Sequence, residues 1–141
     1  MKATTLLPAL VLFTIVTVEF GGWSLLGLLN RADVLSPFQE RNFRAGHAHA
    51  GVLLTLALVF LILLGRTAFS DRAQWLVSLT LLGGILLQSG GFFLHMVVGS
   101  EGSGSAGTVV TRVGAVLLAT ALVSLGVGLL RAGDAAASLP S

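Results

Sequence analysis

Four long apolar stretches alternate with short polar segments along the chain. They run over residues 4–29, 43–64, 74–98 and 108–130. Each reaches the ~20 residues that a helix needs to cross a hydrocarbon core of ~30 Å. The pattern predicts an all-α integral membrane four-helix bundle, running up-down-up-down with both termini on the same side. We expect one domain over residues 1–131, followed by a disordered tail at 132–141 that is rich in Ala and Ser.

Two helix starts can be placed from local sequence. Ser36, Pro37 and Gln39 stand where an N-cap, a first helical residue and the third residue of a capping box are expected. We predict a short interfacial turn over residues 38–43 that leads into the second helix. Ser70 is the predicted N-cap of the third. The short link before Ser70 predicts that the second and third helices are antiparallel neighbours.

Composition agrees with a membrane protein. Hydrophobic residues make up 55% of the chain and charged residues 10%, and the mean hydropathy is +0.95. A soluble domain carries roughly 25% charged residues. The net charge of +2 is spread over the loops, which argues against a nucleic-acid partner. The absence of cysteine excludes disulfides, thiolate metal sites and covalently attached haem. The lipid bilayer is therefore the first expected partner.

The basic residues lean slightly towards one side of the membrane. The side that holds the N terminus carries more of them, and we call the opposite side, where the first helix ends, side A. The N-terminal side has Lys2, Arg66, Arg72 and Arg131, and side A has Arg31, Arg41 and Arg44, with Arg112 just inside the fourth helix. The positive-inside rule then predicts a multi-pass cell-membrane protein with cytoplasmic termini and side A outside.

The titratable groups within the apolar stretches all lie towards side A. An ionisable group at bilayer depth is costly and indicates a functional site by default. The alternating helix directions bring these groups to similar depths at 1.5 Å per residue. They are Glu19, His47, His49, His95 and Arg112.

Three helices carry rows of small and polar residues at helical spacing, and we expect these rows to face inward. His49 points about 200° away from His47, so we take His47 as the inward histidine of the second helix. The rows are Arg44, His47, Gly51 and Thr55 on the second helix; Gly84, Gln88, Gly91 and His95 on the third; and Arg112, Ala115, Ala119 and Gly126 on the fourth.

Two cofactors suit such a cluster. In the first hypothesis His47 and His95, with His49 as the substitute, hold a b-type haem between the second and third helices. Gly51 and Gly91 would leave room for the macrocycle, and Arg44 or Arg112 would pair with a propionate. The second hypothesis is a copper, iron or zinc ion. Its ligands would come from Glu19, His47, His49 and His95.

The segment from Arg44 to Gly51 resembles the start of the second helix in haem-copper oxidase catalytic subunits. In that family a histidine near the extracytoplasmic end of the helix ligates the low-spin haem. The resemblance covers roughly ten of the 141 residues and implies haem binding near His47. The family's helix-10 histidines and copper ligands have no counterpart in a four-helix chain, so oxygen reduction is not implied.

Other roles stay open at this point. Glu19 and Arg112 could form a structural ion pair in an accessory subunit without a cofactor, or Glu19 could gate a proton or small-solute conductor. No nucleophile–base pair is evident, which argues against hydrolysis; whether the protein is an enzyme stays open, and a non-enzymatic role is favoured. A haem or metal protein would serve electron transfer, sensing or cofactor handling, with a membrane redox partner or a second copy of the chain.

Overall fold

A computed structural model describes residues 2–31 and 34–137. It contains helices α1 (Ala3–Leu29), α2 (Pro37–Leu64), α3 (Asp71–Val98) and α4 (Ala106–Ala137), and the described ranges contain no strand. All four are long and apolar enough to span a membrane. The predicted all-α membrane bundle is therefore confirmed.

The start of α2 is a complete capping box. The Ser36 hydroxyl accepts a hydrogen bond from the Gln39 N–H, and the Gln39 side chain accepts one from the Ser36 N–H at 3.0 Å. These bonds satisfy backbone donors that the first turn leaves free. The helix begins at Pro37, so residues 38–43 are its first turns. The separate interfacial turn that we predicted there is wrong. At α3, Ser70 caps the helix by accepting from the Ala73 N–H.

The fourth helix is longer than predicted. It continues without a break to Ala137, so the prediction of a disordered tail is wrong for residues 132–137. Alanine has the highest helix propensity of all residues, which explains why the helix continues past the apolar stretch. The remaining four residues of the predicted tail, 138–141, lie outside the described residues.

Helices α3 and α4 approach each other almost backbone to backbone. A Cβ added at Gly84 would lie 2.9 Å from the backbone nitrogen of Leu118, and one added at Gly114 would lie 2.8 Å from the carbonyl oxygen of Gly84. Towards side A, a Cβ at Gly107 would lie 2.6 Å from the Gly91 carbonyl oxygen. Four glycines, two on each helix, therefore permit this contact, as small residues do between helices in lipid.

Most of the large buried side chains lie in the half of the bundle away from side A. They include Phe60, Leu61 and Leu64 of α2 and Leu81 of α3, each at most 1% exposed. Buried positions nearer side A are mainly glycines, for example Gly46, Gly91 and Gly107. Helix α1 contacts α2 and α3 but not α4. The half nearer side A, which holds the polar groups, therefore has fewer large buried side chains.

A groove between α1 and α2 with Glu19 and His47

Glu19 and His47 line one groove between α1 and α2. The groove, called the α1–α2 groove below, has a volume of about 320 Å³. Glu19 lies ten residues before the end of α1 and His47 ten residues after the start of α2. At 1.5 Å per residue both lie about 15 Å from the side A ends of their helices. The walls are otherwise small or aliphatic: Ile15, Val18, Ala48, Gly51, Val52 and Thr55.

The position of the His47 ring depends on two glycines of α1. A Cβ at Gly22 would lie 2.9 Å from Nε2 of His47, and one at Gly21 would lie 3.8 Å from Nδ1. Gly22 follows Glu19 by three residues, so the two share a helix face. The imidazole thus packs against bare backbone one turn of α1 from Glu19, and among the described residues it forms no ion pair with the Glu19 carboxylate. Neither glycine is among the predicted site residues. The spacing of three residues from Glu19 to Gly22 could have indicated that Gly22 lies on the same helix face as the carboxylate.

The predicted row of residues on α2 faces α1. His47, Gly51 and Thr55 all line the α1–α2 groove, and the Thr55 hydroxyl donates to the Gly51 carbonyl at 3.0 Å. Arg44 is exposed one turn nearer side A, where its guanidinium pairs with Glu40 at 2.7 Å. The prediction that His47 turns towards the third helix is wrong, because its neighbour is α1.

His49 is the histidine of α2 that meets α3. Its ring centroid lies 4.8 Å from that of Phe92, with the planes tilted by 36°. Nδ1 lies 2.8 Å from the carbonyl oxygen of Ala45, one turn earlier. Donation from Nδ1 to that carbonyl leaves Nε2 as the free acceptor of the neutral ring. His49 also lines a shallow groove with Gln88, on a different side of α2 from His47.

His95, near the end of α3, contacts the residue that precedes α4. Its Nδ1 lies 2.8 Å from the Ser105 hydroxyl oxygen, which also accepts from the Gly107 N–H at 3.0 Å. The edge of the Phe38 ring packs against the imidazole at 5.1 Å between centroids. His95 shares a surface groove with Arg112 and Thr111. These contacts give His95 a structural role at the side A end of the bundle.

The three histidines therefore line three different grooves. His47 lies between α1 and α2, His49 between α2 and α3, and His95 between α3 and α4. Within residues 2–31 and 34–137, no three His, Asp or Glu side chains are grouped closely enough to hold a metal ion. Of the four predicted metal ligands, the structure brings Glu19 and His47 into one groove and places His49 and His95 elsewhere.

The remaining haem residues are also separated. Gly91 belongs to the tight contact with α4, where a Cβ would lie 2.7 Å from the Gly107 carbonyl oxygen. It therefore opens no space for a macrocycle. The α4 row predicted to face inward is exposed at Arg112, Ala115, Ala119 and Gly126. The inward face is instead formed by Thr111, Gly114, Leu118 and Ala121.

The proposed ion pair between Glu19 and Arg112 is wrong. Helices α1 and α4 do not touch, and the ion pairs of the described chain are those of Arg41 with Glu101 and of Arg44 with Glu40. Glu19 is exposed on the surface of a membrane span. A carboxylate in that position is costly in lipid unless something pairs with it or covers it.

The chemistry of the α1–α2 groove follows from its two polar groups. Carboxylate oxygen and imidazole nitrogen together suit iron, copper or zinc. The described ion pairs do not include one between Glu19 and His47, so both side chains are available to a third group. Searches against profiles of known protein families, against curated proteins and against solved structures find no match for this chain. The function is therefore argued from these side chains.

Proposed function

We propose that this integral membrane protein binds a transition-metal ion in the α1–α2 groove, through Glu19 and His47. The observation that supports the proposal is that a carboxylate and an imidazole from different helices line one groove at equal depth. A bound cation would also offset the cost of an exposed Glu19 within an apolar span. Electron transfer, sensing and cofactor handling are the roles that such a site would serve.

The groove supplies two of the ligands that an ion needs. A zinc site takes about four ligands, and a catalytic site leaves one of these positions to water or substrate. The Thr55 hydroxyl also lines the groove and donates to the Gly51 carbonyl, which leaves its oxygen lone pairs directed elsewhere. The other ligands would come from a small molecule or a second protein chain. A site of this kind is suited to accepting and passing on an ion, because it is only half closed.

A b-type haem with His47 as axial ligand is the second candidate. Arg44, His47 and Gly51 share a face of α2, and Arg44 lies nearer the aqueous end. This order would let a haem ring lie within the membrane on His47 while one of its propionates pairs with Arg44 near the aqueous surface. One chain offers one imidazole to this groove, so haem held by His47 and His95 of the same chain has no support from the geometry.

The test is the cofactor content of the purified protein, from cells supplied with haem precursor and with metal salts. Elemental analysis and the absorption spectrum would be recorded for the native chain and for His47→Ala, Glu19→Gln and His95→Ala. We expect a bound transition metal that both groove variants lose and His95→Ala keeps. A Soret band lost only in His47→Ala would favour the haem. Protein free of metal and haem after such supply would overturn both candidates.

A further inference from the structure

A second cavity lies between α1, α2 and α3, on the other side of Val18 from the α1–α2 groove. This apolar cleft has a volume of about 370 Å³ and is lined mainly by aliphatic side chains. Leu10 and Leu86 line it and are 48% and 73% exposed, so the cleft opens sideways towards lipid. Ala50 and Gly90 line the cleft with little or no side chain, and the Phe93 ring forms part of its lining.

One polar group in the cleft lacks a partner. Ser89 is 6% exposed, and its hydroxyl oxygen has no hydrogen-bond partner. The other hydroxyl of the cleft, that of Thr14, donates to the Leu10 carbonyl at 2.9 Å. A buried hydroxyl without a hydrogen-bond partner is costly. Ser89 therefore marks the point at which an occupant of the cleft would place a polar atom.

The depth of Ser89 restricts what that occupant can be. It lies nine residues before the end of α3, about 14 Å along the helix, and thus within the hydrocarbon layer. The polar atoms of a phospholipid or a fatty acid stay at the membrane surface, because burying a charge in hydrocarbon is costly. An occupant that suits this position is neutral and mostly apolar, and it offers a hydrogen-bond partner to the Ser89 hydroxyl.

We propose that the apolar cleft binds a lipid-soluble quinone, with the Ser89 hydroxyl donating to one of its carbonyl oxygens. A quinone is a flat neutral ring with carbonyl acceptors, and its isoprenoid tail is compatible with the lateral opening between Leu10 and Leu86. The small residues Ala50 and Gly90 leave space for a ring, and Phe93 offers an aromatic edge or face to it. The site is independent of Glu19 and His47.

The probe is decylubiquinone, and binding is measured by its competition against photolabelling with an azidoquinone, on the metal-free full-length chain in nanodiscs. We expect saturable binding, with label on peptides of α1, α2 and α3. Ser89→Ala should weaken the binding of decylubiquinone roughly five- to tenfold, because the hydrogen bond from the Ser89 hydroxyl is lost. Ser89→Thr keeps a hydroxyl and should retain most of the affinity. Ala50→Leu fills the cleft and should abolish the competition.

Ser78 provides the matched control. It is also a buried serine whose hydroxyl lacks a partner, and it does not line the cleft. Ser78→Ala should leave the affinity unchanged. Equal weakening by Ser78→Ala and Ser89→Ala would overturn the proposal, as would labelling that does not saturate. Displacement of the label by decane as effectively as by decylubiquinone would identify an ordinary acyl-chain cleft. Because the assay uses metal-free protein, it does not depend on the ion site.

Discussion

Gly22 of α1 and His47 of α2 approach so closely that a Cβ at position 22 would lie 2.9 Å from Nε2 of the imidazole. Real Cβ atoms are essentially never found that close to a neighbour, so the ring must shift if the glycine is replaced. We expect Gly22→Ala to lower the metal affinity of the purified protein at least tenfold, because the imidazole is displaced within the α1–α2 groove that it shares with Glu19. The measurement is a metal titration of the detergent-solubilised chain.

Gly21→Ala is the control for this substitution. It makes the same chemical change one residue away, where the added Cβ would lie 3.8 Å from Nδ1 of His47, an ordinary contact. Its affinity should match that of the native protein. If both alanine variants bound metal equally well, the close packing of His47 on Gly22 would have no part in binding.

The second prediction concerns the contact between α3 and α4. Gly114→Ala would place a Cβ 2.8 Å from the Gly84 carbonyl oxygen and against the backbone of Gln88. Because neither helix backbone can yield locally, the helices must separate, and overpacking of this kind typically costs about 1–3 kcal/mol. We expect that loss in the free energy of unfolding, measured by SDS titration in mixed micelles.

Gly126→Ala is the matched variant on the same helix. A Cβ at position 126 meets nothing within 4 Å, and alanine favours a helix over glycine by about 0.5–1 kcal/mol. Its stability should therefore equal or exceed that of the native chain. A similar loss in both variants would show that the close contact of α3 with α4 is not what stabilises the bundle.

His95 gives the third prediction. Its imidazole holds the Ser105 hydroxyl at 2.8 Å, across the loop that connects α3 to α4. His95→Ala should lower the free energy of unfolding by about 0.5–1.5 kcal/mol, the usual contribution of one hydrogen bond. Metal content should not change. His95→Asn can restore a bond to Ser105 and should recover part of the stability. A loss of metal without a loss of stability would instead make His95 a ligand.

Features decided by local sequence could be predicted well. The capping box needs only Ser36 and Gln39 at the right spacing, and the structure contains both of its hydrogen bonds. The row of Gly84 and Gly91 does face a neighbouring helix. The placement of Glu19 and His47 towards side A follows from helix direction alone and was predictable. Their equal distance from the helix ends requires α2 to begin at Pro37, whereas the apolar stretch of the second helix was predicted to begin at residue 43.

Features that depend on which helix lies alongside could not be predicted in the same way. Spacing shows that His47 and His49 point in different directions, but α1 and α3 were equally available as neighbours for either. On α4, two sets of small residues share helical spacing, and the set with Gly107 and Gly114 faces α3. A glycine row indicates a close contact only where the partner backbone also carries glycines, which is a property of two helices rather than one.

The central claim, that Glu19 and His47 bind one ion, is tested most directly by a double-variant cycle. Co²⁺ would be titrated calorimetrically into the metal-free native chain, Glu19→Gln, His47→Ala and the variant that carries both changes. If Glu19 and His47 bind the same ion, removing either one already weakens Co²⁺ binding strongly. We therefore predict that each single variant loses nearly as much Co²⁺ binding free energy as the double variant, with a coupling energy of about 1 kcal/mol or more. Losses that simply add, or Co²⁺ binding that none of the changes affects, would contradict it.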